Sequence, residues 1–346
     1  MSSVKQEPFV NRYESQWQHF ENWMDYQENT LQWQKKNGPD AEPPVLDDLP
    51  HQYRQICHHL AMAKTRMYSP LLIDRLNRMV VQGHQYLYQT STHFIRDIID
   101  YFTITFPALI RKERKLVLIA ALLFYVPFFG ILIWLQFYPD MVYSIMDGAS
   151  VRSMENMYDP ALHERFGRER EADSDVLMFG HYIRNNTGID FRTFASGLLF
   201  GVGTLFFTVF NGVYIGAAAG HLTQLGYIDT FWGFVCGHSS LELTALVFST
   251  VAGLKLGMGI IKPGRKSRIR ALIDNGKVSM NIMYGTATMT IMAAFVEAFW
   301  SSIAWMPLGI KYAVAAALWS AVIAYFVFMG RNAKPTQTLV ELSRAT

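Results

Sequence analysis

From Leu116 to Tyr138 the chain runs 23 residues without one carboxylate, ammonium or guanidinium group. A helix of that length crosses the roughly 30 Å hydrocarbon core of a bilayer, which takes about 20 apolar residues. Four more apolar runs follow, at 194–222, 231–261, 281–303 and 312–329. The fold class expected is therefore all-α, a polytopic helical membrane protein with an N-terminal cytoplasmic helical domain. A soluble globular enzyme, a disordered chain and a disulfide-stapled module are excluded. The two cysteines, Cys57 and Cys236, make no disulfide framework. A formal net charge of +3 is too small and too scattered for nucleic acid to be a partner.

Residues 1–92 read as soluble helices. Phe9, Tyr13, Trp17, Phe20 and Met24 recur at spacings of three and four, one stripe of an amphipathic helix. Asn37-Gly38-Pro39 and Glu42-Pro43-Pro44 break the pattern. Asp47 and Asp48 suit the cap of a second helix that carries Tyr53, Ile56, Leu60 and Ala63 on one side. Leu72, Leu76, Met79 and Val80 mark a third, with His84 and Tyr88 near its end as a packed hydrogen-bonding pair. The start of the chain has no apolar core of signal-peptide type. Residues 93–115 read as an amphipathic interfacial helix running into Arg111-Lys112-Glu113-Arg114-Lys115. Cytoplasmic flanks of spans are enriched in Lys and Arg, so this cluster places the N-terminal domain in the cytoplasm.

Residues 139–193 carry ten acidic side chains against six arginines and read as an extracytoplasmic segment, with Asp159-Pro160 able to open a short helix. One crossing per later run would leave the basic stretch Lys262 to Arg270 outside, against the positive-inside rule. Parity returns if 194–261 makes three crossings, or one crossing and a re-entrant piece. Asn211-Gly212 and Gly237-His238-Ser239-Ser240 are the natural breaks, tolerated where protein or a water-filled cavity satisfies the freed backbone. The expected plan is a Gly-rich core over 194–330 with broken or re-entrant helices, six passes, and a cytoplasmic tail over 331–346 that includes Lys334.

Gly197/Gly201, Gly216/Gly220, Gly233/Gly237 and Gly253/Gly257 each stand four apart and let backbones approach closely. Packing within the chain is the preferred use, and a homo-oligomer is the other. Ionisable groups inside apolar runs are the sharper signal. His238 and Glu242 share one helix face, Lys255 lies in the same run, and Glu297 lies in the next run. Such groups are expensive at mid-membrane and face the protein interior with a partner. A buried His–Glu or Lys–Glu pair is the structural use, and a proton or ion pathway is the functional one. A metal site is disfavoured, because a third ligand is needed and no second His or suitably placed Cys is near. No zincin pattern, nucleophile elbow or phosphate loop occurs, so neither catalytic residues nor a cofactor are implied.

Met178-Phe179-Gly180-His181-Tyr182-Ile183-Arg184-Asn185-Asn186, followed by Phe194-Ala195-Ser196-Gly197, resembles the entry to the core of the stage II sporulation protein M family. The likeness continues through Phe210-Asn211-Gly212 with Gly216, Gly237-His238 with Glu242-Leu243, Ala252-Gly253-Leu254-Lys255-Leu256-Gly257 and Ala293 to Phe299. Ser239 and Ser196 stand where the family commonly has Gly. In the polar half, Leu49 to Arg54, Ala61 to Arg66 and Phe106-Pro107 resemble the family's longer bacterial form. The resemblance implies an integral protein of the bacterial cytoplasmic membrane. Its namesake scaffolds peptidoglycan-degrading partners, and other relatives lie beside genes for MoxR-type ATPases and von Willebrand factor A-domain proteins. It supplies no catalytic residues.

The leading reading is a membrane scaffold whose residues 1–92 and 139–193 bind partner proteins. The alternative is a transporter or channel using His238, Glu242, Glu297 and Asn211, which requires a polar cavity at those residues; no internal inverted repeat supports it.

Overall fold

The computed structural model describes residues 3–38, 41, 43–44, 46, 48–88, 93–161, 172–303, 305–333, 335–336, 338–340 and 342. Among them every regular element is a helix, and the chain divides into two separately cored units, 1–95 and 96–346.

In the first unit, α1 (Ser3–Glu28), α2 (Thr30–Asn37), α3 (Leu49–Thr65) and α4 (Pro70–Tyr88) enclose one aromatic-rich core. The α1 stripe is its spine: Trp17 and Phe20 are wholly buried, with Phe9 and Met24 beside them. Burial of one such side chain is worth about 1.5–3 kcal/mol. Asp48 caps α3, its carboxylate accepting from the His51 amide at 3.1 Å. Trp17 Nε1 donates to His59 Nδ1 at 3.1 Å, and burial holds the His59 imidazole below its ordinary range. Arg75 on α4 reaches back to Glu14 and Glu21 of α1 through four bonds of 2.8–2.9 Å, and that guanidinium holds Glu14 below the usual carboxylate range. Asp47 and the Tyr88 side chain lie outside the described residues; the His84 ring faces Tyr53.

The division at 95/96 falls within α5 (His93–Asp100), which is followed in the second unit by a π turn over Tyr101–Thr105 and α6 (Phe106–Lys112). Only α5 has the exposed apolar stripe of an interfacial helix, in Ile95, Ile98 and Ile99. The expectation for 93–115 fails beyond it: Phe106, Leu109 and Ile110 are buried, because the Phe106 ring occupies the space that Gly285 leaves open.

The larger helices are α7 (Arg114–Phe137), the short α8 (Val142–Ile145), α9 (Gly148–Tyr158), α10 (Ala172–Ala195), α11 (Val202–Gln224), α12 (Ile228–Ile261), α13 (Arg268–Phe295) and α14 (Leu308–Phe328). Among the described residues, five helical segments are long and apolar enough to cross a membrane: α7, α11, α12, Arg268–Ser301 and α14. The most apolar stretch of α12 is 67% buried, against 17% for those of α7 and α14, so α12 is the central post and the other two face outward.

The expected breaks are absent. α11 passes through Asn211-Gly212 and α12 through Gly237-His238 without interruption. The glycines at these positions make close contacts instead: a Cβ on Gly212 would lie 2.5 Å from the Phe124 backbone carbonyl, and one on Gly237 would lie 3.3 Å from the Trp300 ring. The actual interruption is the turn 196–201, where Phe200 and Gly201 take left-handed φ of 55° and 76°. Gly197 and Gly201 sit in this turn, not on one helix, and abut Gly253 and Gly257 of α12.

Helix directions follow from the contacts. Gly212, Gly216 and Gly220 meet Phe124, Phe128 and Leu132 in turn, so α11 runs the same way as α7. The chain must therefore return between them, and α10 does so. Its Asn186 and Asp190 bond Glu297 and Thr290, which makes α10 antiparallel to the helix after Arg268. Asn186, Asp190, Thr193 and Phe194 are buried, so the reading of 139–193 as one outer segment fails from α10 onward. Of that segment's acids, Glu164, Glu169 and Glu171 lie outside the described residues. Glu155 pairs with His221 at 2.7 Å, and Asp159 accepts from the Ala161 amide as a helix cap does.

A buried polar cluster between the central helices

The candidate site forms where α10, α12 and the end of α13 meet. His238 and Glu242 lie one turn apart on α12, with Nε2 and Oε2 separated by 3.7 Å. Glu297 comes from a π turn, Val296–Ser301, that continues α13. One ligating atom of each of His238, Glu242 and Glu297 lies within 4.8 Å of the other two. His238 and Glu297 are buried and Glu242 is half-buried. The other ring nitrogen of His238, Nδ1, is hydrogen-bonded to Ser301 Oγ at 3.0 Å. Ser301 in turn accepts the Lys311 ammonium at its carbonyl, at 3.0 Å. π turns recur at functional sites, and this one aims Glu297 and Ser301, four residues apart, at the same imidazole.

Asn186 donates to Glu297 Oε2 at 3.4 Å and accepts from the neighbouring Asn185 amide at 3.0 Å. A cavity of about 20 Å³ adjoins the cluster and is bounded by Asn186, Asp190 and Glu242 with Ile189, Ile215, Leu243 and Leu246. That is room for about one water molecule. An aromatic layer flanks His238: its ring is 5.4 Å from Phe234, which packs with Tyr158, and Tyr158 packs on Phe231.

Two residues singled out in the sequence lie elsewhere. Asn211 bonds its own helix, donating to the Phe207 carbonyl at 2.7 Å. Lys255 does not meet Glu242; it pairs with Glu113, at the start of α7, at 2.6 Å. Gly212, Gly253 and Gly257 serve helix contacts, while Gly237 lies against Trp300 and Ser301 beneath the cluster. The sequence argument against a metal, that no third ligand stood near His238 and Glu242, is corrected here, because the fold brings Glu297 to them. Asp190 and Ser301 were missed. Asp190 had a legible signal, since it stands four residues after Asn186 on the same helix face.

A bundle of long apolar helices around buried ionisable groups defines an integral membrane protein. Residues 116–302 match the Stage II sporulation protein M family, and residues 7–89 match a domain of unknown function, DUF8413. The first match spans more than half of the chain, so the protein belongs to the stage II sporulation protein M family. No curated protein and no solved structure matches the chain.

Proposed function

We propose that this chain is a six-pass scaffold of the bacterial cytoplasmic membrane that recruits partner proteins, in envelope or peptidoglycan work or in a MoxR-type ATPase complex. The observation that carries the reading is the division of labour in the chain: a separately cored helical unit over 1–95 precedes the membrane unit. Docking falls to residues 1–92 and to the outer part of 139–193, since α10 is committed to the core.

The orientation rests on charge sorting. The Lys255–Glu113 pair and the bonds from Arg111 to Phe326 and Met329 gather Arg111–Lys115, Lys262–Arg270 and Arg331 at one end of the bundle. Asp140, Asp147 and Glu155 lie towards the other. With the basic end inside, both termini are cytoplasmic and α10 is the sixth crossing. Single cysteines placed at Arg265 and at Asp147 in intact cells are expected to show opposite labelling by an impermeant maleimide, with only Asp147→Cys modified. Modification of both, or of Arg265→Cys alone, overturns the topology.

Mild-detergent affinity purification from native membranes tests the scaffold. Stoichiometric partners are expected with the full chain and are lost when residues 1–92 are removed. A lone protein at full yield would reject the reading. The second reading, a transporter or channel, is favoured by the convergence of His238, Glu242 and Glu297. Under it, reconstituted protein moves an ion, and Glu297→Gln stops the flux while remaining folded.

A further inference from the structure

We propose that His238, Glu242 and Glu297 bind one divalent first-row transition-metal ion within the membrane unit, whichever function the bundle serves.

The separations approach those of atoms that share an ion. Zinc sits about 2.0–2.2 Å from imidazole nitrogen and carboxylate oxygen, so two tetrahedral ligands lie roughly 3.4 Å apart. His238 Nε2 and Glu242 Oε2, at 3.7 Å, are too far apart for a hydrogen bond and close to that edge. The third ligand atom lies within 4.8 Å, so a small contraction completes the face.

Support behind the ligands points the same way. A metal-bound imidazole commonly donates its other N–H to a fixed acceptor, which sets the tautomer. Ser301 Oγ stands 3.0 Å from Nδ1, placed to be that acceptor, and in that tautomer the Nε2 lone pair is free for an ion on the side where Glu242 lies. Asn186 donates to Glu297 Oε2 and also lines, with Glu242, the neighbouring cavity that has room for about one water.

Charge balance supplies the independent argument. Neither glutamate is paired with a lysine or arginine among the described residues; the only ion-pair partner of Glu242 is His238. When both carboxylates are ionised they carry −2 beside a neutral imidazole; a low-dielectric interior penalises that charge, and a divalent ion cancels it where protons otherwise would. One nitrogen with two carboxylates suits zinc or manganese, and a soft thiolate-seeking ion is disfavoured because Cys236 is turned to backbone carbonyls.

The test uses the full chain, purified in detergent through a tag without histidines and stripped with a chelator. It is then dialysed against Zn²⁺, Mn²⁺ or Mg²⁺ and analysed for bound metal by mass spectrometry. Stoichiometric zinc or manganese is expected, together with a zinc-dependent rise in the thermal midpoint. Glu297→Gln should lose both. Ser301→Ala keeps every ligand and should weaken affinity about tenfold to a hundredfold; it carries the test should Glu297→Gln fail to fold. Wild-type protein that retains neither ion, or that takes magnesium equally well, overturns the proposal. So does affinity unchanged in Ser301→Ala.

Discussion

Gly257→Leu is expected to abolish accumulation of monodisperse protein, whereas Gly130→Ala leaves it unchanged. The contrast lies in what each new side chain meets. A Cβ on Gly257 would lie 2.5 Å from the Gly201 amide nitrogen and 3.0 Å from the Gly197 carbonyl, all backbone atoms that no rotamer change can clear. α12 has little room to retreat, because α13 is packed on it as well: Ser279 Oγ donates to the Ala252 carbonyl at 2.8 Å, and a Cβ on Gly259 would lie 3.0 Å from the Ala271 carbonyl. Extra methylenes in a packed core typically cost about 1–3 kcal/mol, and here the first carbon of four already clashes. Total stabilities of only about 5–15 kcal/mol leave little margin. At Gly130 a Cβ meets nothing within 4 Å. Size-exclusion profiles in one detergent, read by fluorescence, make the comparison. Equal monodisperse yields of Gly257→Leu and wild type would show that the turn 196–201 is not held against α12.

Those glycines also show what the sequence could and could not disclose. Wherever a local period governed, the reading carried over: the Phe9, Trp17, Phe20 and Met24 stripe is buried as one face, and Asp48 caps its helix. Asn211-Gly212 and Gly237-His238 were misread because Gly in a membrane helix can mark either a break or a close contact, and the partner backbone that decides lies far along the chain. α10 escaped for the opposite reason. Asp175, His181, Arg184, Asp190 and Arg192 keep it below the hydropathy of a span, yet its Asn186, Asp190 and Thr193 face the core. Under the proposed topology the parity conflict from the basic loop is answered by α10, upstream of the interval 194–261. The site was half legible. Spacing joined His238 to Glu242, but nothing local could bring in Glu297, and nothing local could send Lys255 to Glu113.

That last pair carries the second large effect. Lys255→Met alone is expected to lower stability by about 3–5 kcal/mol, and Glu113→Met alone by a similar amount, because each leaves one buried charge without its partner. The double variant should recover most of the loss. The Lys255 ammonium and the Glu113 carboxylate meet at 2.6 Å with side chains only 13% and 10% exposed, so solvent cannot take over from the missing partner. Methionine keeps the length and apolar stem of both residues, and a buried ion pair replaced by packed apolar groups is often neutral. Thermal midpoints of the four proteins in one detergent complete the cycle. A double variant whose loss equals the sum of the single losses would mean no coupling, and the pair would not then fix the start of α7 against α12.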